Sequence, residues 1–151
     1  MPDAIKLVTS NRKARHDFHI DDTLEAGLVL QGTEVKALRE GRANLQDAYC
    51  KVERGEMYLV GAHISPYSHG NIQNHEPTRA RKLLLHRREL RKWDKAAAQQ
   101  GYTIVPLKLY FRNGLAKIEI GLARGKKLYD KRADIAERET KRRLDRTMKQ
   151  Y

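Results

Sequence analysis

The chain has 151 residues, of which 40% are hydrophobic and 33% charged; 31 Lys and Arg stand against 19 Asp and Glu, a net charge of +12. At roughly 150 residues per domain this is one domain with a sizeable core, and no apolar run approaches the ~18 residues of a membrane span. The start lacks an apolar stretch of signal-peptide length, and the single Cys50 excludes an internal disulfide framework and a cysteine-rich zinc site. A soluble, cytoplasmic protein is expected, with no membrane association and a polyanion as partner.

The charge is uneven. Residues 1–121 hold 20 Lys and Arg against 14 Asp and Glu, whereas residues 122–151 hold 11 against 5. The last thirty residues thus carry half the net charge, with too few large apolar side chains for their own core. The expected organisation is a barrel domain over 1–123 and a basic C-terminal tail over 124–151.

Along the body, His16 to Leu30 alternates in part, which predicts two strands turning at Asp21-Asp22. GTEVKALREG (32–41) predicts a short helix stopped by Gly41, with Glu34, Lys36, Arg39 and Arg42 on its polar face. Ala48 to Ile64 reads as a hairpin turning at Glu53-Arg54-Gly55-Glu56, and Ser65 to Pro77 as a polar loop. The longest helix is expected from about Arg79 to Gln100. Its apolar stripe is Leu83, Leu90, Trp93 and Ala97, and Arg81, Lys82, Arg88, Arg91, Lys92 and Lys95 form its cationic surface. Tyr102 to Ala123 is the clearest hairpin. Leu107, Leu109 and Phe111 alternate with Lys108, Tyr110 and Arg112 up to the Asn113-Gly114 turn, and Pro106 marks an edge or a bulge. About six short antiparallel strands and two helices favour a mainly β fold. A small OB-like barrel with flanking helices fits best, because closure removes exposed edges.

No phosphate-binding loop, GxSxG or HExxH motif is present, and nothing calls for a cofactor. The six histidines lack metal-ligand spacing and read as surface polar residues; Cys50 reads as a small core residue. Basic clusters are the stronger signal. NRKARH gathers Arg12, Lys13, Arg15 and His16, the first helix offers Lys36 and Arg39, and RARK with HRRELRK adds Lys82 and its neighbours. Tyr67, Tyr102 and Tyr110 are candidates to stack on unpaired bases. Phosphate binding through such clusters falls steeply with salt.

In the tail, acid precedes base by four residues at Asp134/Arg138, Glu137/Lys141, Glu139/Arg143 and Asp145/Lys149. Each such pair supports a helix by ~0.2–0.5 kcal/mol. A lone helix of ~20 residues is marginal in water. The tail is therefore expected to be disordered when free and helical against RNA, with Asp130 as N-cap.

The blocks NRKARHDF, LEAGLVLQGTEVKALREG, PTRARKLLLHRREL, GYTIVPLKLYF and KIEIGLARGKKLYDKRADIAERE resemble the SsrA-binding proteins (small protein B), which partner transfer-messenger RNA, tmRNA, in bacteria. The resemblance covers nearly the whole chain from Asn11. GTEVKALR, RARKLLL and GKKxxDKR together carry its specificity. It implies an OB-like barrel that grips the tRNA-like domain of tmRNA (SsrA RNA) and no enzymatic activity. With alanyl-tRNA synthetase and elongation factor Tu acting on that RNA, the complex would enter stalled ribosomes. The tail would then fold as a helix in the decoding centre and empty mRNA channel, and the product would be tagged for proteolysis.

By motif position, the resemblance implies RNA binding by Asn11, Glu25, Leu84 and Lys117. It implies a ribosomal role for Lys126, Lys127, Asp130, Lys131 and Arg132. Tyr129 stands where some members have His, and an aromatic side chain still stacks there. Another OB-type RNA binder of translation, such as a ribosomal protein or initiation factor, explains the charge and barrel but not the GKKxxDKR tail. A small nuclease using His16 or His86 is the reading from a different class.

Overall fold

The computed structural model describes residues 4–69 and 74–125. The acid–base pairs of the tail and the candidates Lys126, Lys127, Tyr129, Asp130, Lys131 and Arg132 lie outside the described residues. Among the described residues the elements are β1 (Ile5–Ser10), α1 (Arg12–Asp17), β2 (Phe18–Leu28), α2 (Gly32–Arg39), β3 (Ala43–Asn44), β4 (Tyr49–Glu53), β5 (Glu56–Val60), β6 (His63–Ile64), β7 (Arg81–Leu84), α3 (Arg87–Gln100), β8 (Thr103–Arg112) and β9 (Leu115–Gly125).

The two predicted hairpins form where their turn residues demand. Arg54 and Gly55 join β4 to β5, and Asn113 and Gly114 join β8 to β9. All four take positive φ, as a two-residue turn matched to strand twist requires. The remaining pairings close the sheet. In the order β8-β4-β5-β7-β2-β9 each strand meets the next antiparallel, and β9 returns to β8. This ring of six is the OB-like barrel expected from the sequence. β1 adds outside the ring along the second half of β8, and β3 pairs with β6 separately. The barrel is filled by Leu38, Met57, Leu59, Leu83, Ile104, Leu109, Ile118 and Ile120, all fully or nearly fully buried; Cys50, Leu90 and Trp93 join the same core.

Of three register shifts among the described strands, one lies in β1 between Leu7 and Thr9 and two correct the simple alternation. Between Ile20 and Asp22, residue Asp21 has no partner in the β2–β9 ladder, so β2 is one bent strand where a turn at Asp21-Asp22 is predicted. Phe18 and Ile20 consequently face outward, whereas Leu24, Ala26 and Leu28 join the core. The second bulge lies between Pro106 and Lys108 and sends Leu107 to the outer side. There Leu107 packs with Val105, Ala123 and Ala14 under α1 in a second small core. Pro106 thus marks a bulge, as one of its two predicted readings had it.

The largest correction concerns RARKLLL. It forms strand β7, and the helix begins only at Arg87, behind the N-cap His86. Short apolar-cationic runs carry both helical and strand periods, and pairing with β5 and β2 decides for the strand. Arg81 and Glu34, both expected on polar helix surfaces, are completely buried against each other. His16 belongs to α1 rather than to a strand. His75 is buried, donating or accepting at Thr33 Oγ1 (2.9 Å) and donating to the Ile64 carbonyl (2.8 Å).

Candidate nucleic-acid interface

The strand register lays one row of side chains across the outside of the barrel. Leu7 on β1 faces Tyr110 on β8, Tyr110 faces Lys117 on β9, Lys117 faces Gly27 on β2, and Gly27 faces Leu84 on β7. A second row, two residues along, holds Ile5, Arg112 and Leu115. Among the described residues the exposed large apolar side chains are Ile5, Leu7, Val29, Tyr49, Leu84 and Leu115. Four of these six lie in the two rows, and Val29 follows at the end of β2, its N–H donating to the Lys82 carbonyl. Single exposed apolar residues are ordinary, but rows that set Ile5 and Leu7 at one edge and Leu84 at the other, with Arg112 and Lys117 between them, make a candidate binding surface.

Glu25 sits at the centre of this face. Its Oε2 accepts the Tyr110 hydroxyl at 2.5 Å and the Arg112 guanidinium at 3.0 Å (Nε) and 2.9 Å (Nη2). Burial favours the protonated form, but these partners outweigh it and hold the carboxyl below its ordinary pKa. Burial and the Glu25 carboxylate push the Tyr110 hydroxyl up to about 12. Oε1 has no hydrogen-bond partner among the described residues, so the carboxylate is fixed by one oxygen and offers the other as an acceptor. Tyr110 itself is only 8% exposed, with the Arg112 guanidinium 5.9 Å over its ring. It holds Glu25 and Arg112 in place rather than presenting a bare ring for stacking.

Glu25, Leu84 and Lys117 are therefore brought together, whereas the other sequence candidates are not. Asn11 is buried. Its side chain accepts from the Ala14 N–H (3.1 Å) and donates to the Pro106 (2.9 Å) and Leu45 (3.2 Å) carbonyls, pinning the start of α1 to the barrel. Lys13 pairs with Asp47, Arg15 with Glu119 at 3.3 Å and His16 with Asp17 at 3.0 Å, all on the α1 side. Lys82 lies on β7 with Glu56 at 3.6 Å. On α2, Lys36 stands 5.5 Å over the Tyr67 ring and Arg39 5.9 Å over Phe111. The blocks GTEVKALR and RARKLLL meet inside the protein. Glu34 accepts from Arg79 at 2.5 Å and Arg81 at 2.6 Å, and Arg81 also donates to the Ala62 (2.8 Å) and Pro77 (3.0 Å) carbonyls. Their role is to fasten α2 to β7.

Leu7, Ile5, Gly27, Arg112 and Leu115 escape sequence reasoning as site residues. Alternation around the Asn113-Gly114 turn places Arg112 and Leu115 on the Lys117 side, but only the pairing of β1 with β8 brings in Ile5 and Leu7. Among the described residues no group of three or more His, Cys, Asp or Glu is placed to hold a metal ion, and no helix is long and apolar enough to cross a membrane.

The SmpB protein family matches residues 8–150 of this chain. A relative in Geobacillus thermodenitrificans, an SsrA-binding protein, is 56% identical over 145 residues, covering 96% of this chain and 94% of the relative. An SsrA-binding protein of Pelotomaculum thermopropionicum is 54% identical over 147 residues, covering 97% and 96%. A solved structure described as "tmRNA-SmpB: a journey to the center of the bacterial ribosome" contains a chain similar to this one. The TM-score is 0.67 and the identity 50%, over 80% of this chain and 85% of that one.

Proposed function

The chain belongs to the SmpB family, and from that membership we infer that it binds tmRNA, the SsrA RNA, and delivers it to stalled ribosomes for trans-translation. The observation that carries this is the family match running unbroken through barrel and tail, to residue 150. A ribosomal protein or initiation factor of OB type is not favoured, since nothing in such a protein requires the GKKxxDKR segment. SmpB is a family of RNA-binding proteins, and the present chain is read as acting by binding, without catalysis. Alanyl-tRNA synthetase and elongation factor Tu are associates through the RNA they share with it. Work on bacterial ribosomes implies a cytoplasmic protein.

The outer barrel face supports the RNA contact. A rigid sheet holds its side chains without ordering cost on binding. Lys117 supplies a phosphate partner, the free Oε1 of Glu25 an acceptor for base amino or imino N–H groups, and Leu84 an apolar contact. The cations of α1 and α2 – Lys13, Arg15, Lys36 and Arg39 – sit around the barrel as backbone contacts that set affinity rather than sequence. The barrel, residues 1–123 in the sequence reading, extends in β9 to Gly125. The segment beyond it is assigned the ribosomal step, through Lys126, Lys127, Tyr129, Asp130, Lys131 and Arg132.

Capture of the tagged protein from a bacterial lysate, followed by RNA sequencing, tests the reading. One dominant RNA with a tRNA-like end is expected. Broad recovery of ribosomal RNA without it would favour the translation-factor alternative.

A further inference from the structure

We propose that Ile5 and Leu7 of β1, with Lys108, form a subsite for an unpaired nucleotide of the bound RNA, extending the interface one strand beyond the Glu25–Leu84–Lys117 group. The proposal rests on the tmRNA reading given above. Both apolar residues stand on β1, just ahead of residue 8, where the match to the family begins.

Three observations converge. Leu7 and Ile5 are more than half exposed, at 57% and 56%, although neither is needed to fill the core. A strand laid on the outside of a barrel has no reason to hold two bare aliphatic side chains toward water unless something covers them. Next, they line an open depression of about 300 Å³ whose other walls are Lys108, Tyr110, Arg112 and Glu119. Tyr110 is shared with the row that ends at Leu84.

The third observation is charge. Arg15 neutralises Glu119, and Arg112 neutralises Glu25. Neither Lys108 nor Lys117 has a carboxylate within ion-pair distance among the described residues. An apolar floor edged by Lys108, which makes no ion pair among the described residues, and lying beside Lys117 matches a flat base carrying its own phosphate. It does not match an apolar helix of a protein, which would offer the Lys108 ammonium no anion. Unpaired nucleotides are the usual object of such recognition in RNA, because their bases are splayed out of the duplex.

The test measures affinity of the full chain for the tRNA-like domain of tmRNA. Leu7→Ala, Leu7→Asp and Lys108→Gln are compared with Leu84→Ala and Lys117→Gln, and unfolding curves verify that each variant is folded. Leu7→Ala and Lys108→Gln should each weaken binding by about fivefold or more, and Leu7→Asp by more than Leu7→Ala. A photo-crosslinking amino acid at position 7 should join one nucleotide outside the duplex stems, while the same group at Tyr49 should not. Wild-type affinity in the Leu7 and Lys108 variants, with the Leu84 and Lys117 variants weakened, overturns the subsite and leaves the function intact. So does loss of ribosome binding or self-association at unchanged RNA affinity, since a protein surface then covers the patch. Unchanged affinity in every variant sinks the interface reading itself.

Discussion

Asp21 and Arg124 are joined across the β2–β9 ladder at the point where β2 bulges. The Asp21 Oδ2 accepts from the Arg124 Nε at 3.0 Å and Oδ1 from Nη2 at 3.4 Å, and the Tyr102 hydroxyl donates to Oδ2 at 2.7 Å. The bulge explains the geometry: an extra residue without a ladder partner is free to turn its carboxylate toward the strand end. The Tyr102 hydrogen bond, opposed by burial and helped by Arg124, holds this carboxyl below its ordinary pKa.

All three groups remain accessible to solvent, so the contribution to folding is small. Asp21→Ala should lower stability by no more than about 1 kcal/mol in urea unfolding. The difference should shrink in ~1 M salt, where the Debye length is near 3 Å. A loss several times larger would mean that the contact organises the bulge itself.

The position of Arg124 also dictates where the chain should be cut to separate barrel from tail. A division after residue 123 discards Arg124 and leaves Asp21 without its guanidinium partner, whereas one after Gly125 keeps the whole of β9. Removing residues 126–151 should leave affinity for the tRNA-like domain within a few fold and abolish tagging on stalled ribosomes. Filter binding and a tagging assay on a message without a stop codon measure the two. An equal loss in both would refute the division of labour.

Glu34 provides the sharpest stability prediction. It is fully buried, and although burial favours its neutral form, the hydrogen bonds from Arg79, the Gln31 N–H and Arg81 hold its pKa below the ordinary 4.5. A depressed carboxyl contributes stability that is complete above its unfolded pKa and is lost as pH falls through the lower folded value. Unfolding free energy should therefore be insensitive to this group near neutrality and fall in the acid range. Glu34→Gln should cost about 3–5 kcal/mol, because the Arg81 charge is left buried without its counter-ion. In the double variant with Arg81→Met much of that loss should return, read by the urea midpoint.

That pair also shows where the sequence stops being legible. The turns at Arg54-Gly55 and Asn113-Gly114 are local chemistry and can be read from four residues each. Strand β7 is decided by neighbours far along the chain, and RARKLLL alone carries a helical pattern as good as its strand pattern. Arg81 and Glu34 look like surface charges until tertiary pairing buries them. Within the interface, Lys117 and Arg112 follow from alternation beside a recognised turn. Glu25 and Leu84 come only through family resemblance, and Leu7 only through a strand pairing that no local signal announces.

Asn11 carries the same lesson into function. Every hydrogen-bonding atom of its side chain is used inside the protein. Its influence on RNA binding must pass through the placement of α1 and the cations that helix carries. Asn11→Ala should cost about 1–3 kcal/mol through the unsatisfied Leu45 and Pro106 carbonyls. Weaker RNA binding should appear together with a shallower slope of log affinity against log salt, because Lys13 and Arg15 on a displaced α1 lose phosphate contacts. Weakened binding at an unchanged slope would instead mean that a neutral contact of Asn11 itself is lost.

Gly27 separates the space requirement of the interface from the stability of the barrel. Its φ lies outside the left-handed region, so the backbone does not demand glycine. An added Cβ would stand 3.2 Å from the Leu84 Cβ, an atom fixed to the β7 backbone, so the β2–β7 spacing must give by a few tenths of an ångström. Relief of glycine's unfolded-state freedom should then offset the crowding, and Gly27→Ala should unfold within about 1 kcal/mol of the parent. The methyl group, however, fills the gap between Leu84 and Lys117 and shifts Leu84 away from any base packed on it. RNA affinity should fall by about tenfold, and further in Gly27→Val, whose two methyl groups press harder on Leu84, each read beside its own unfolding curve. Measured side by side, unchanged unfolding with weakened binding places the RNA over Gly27. Unchanged binding in both variants would move the contact to the rim, onto Leu115 and Val29.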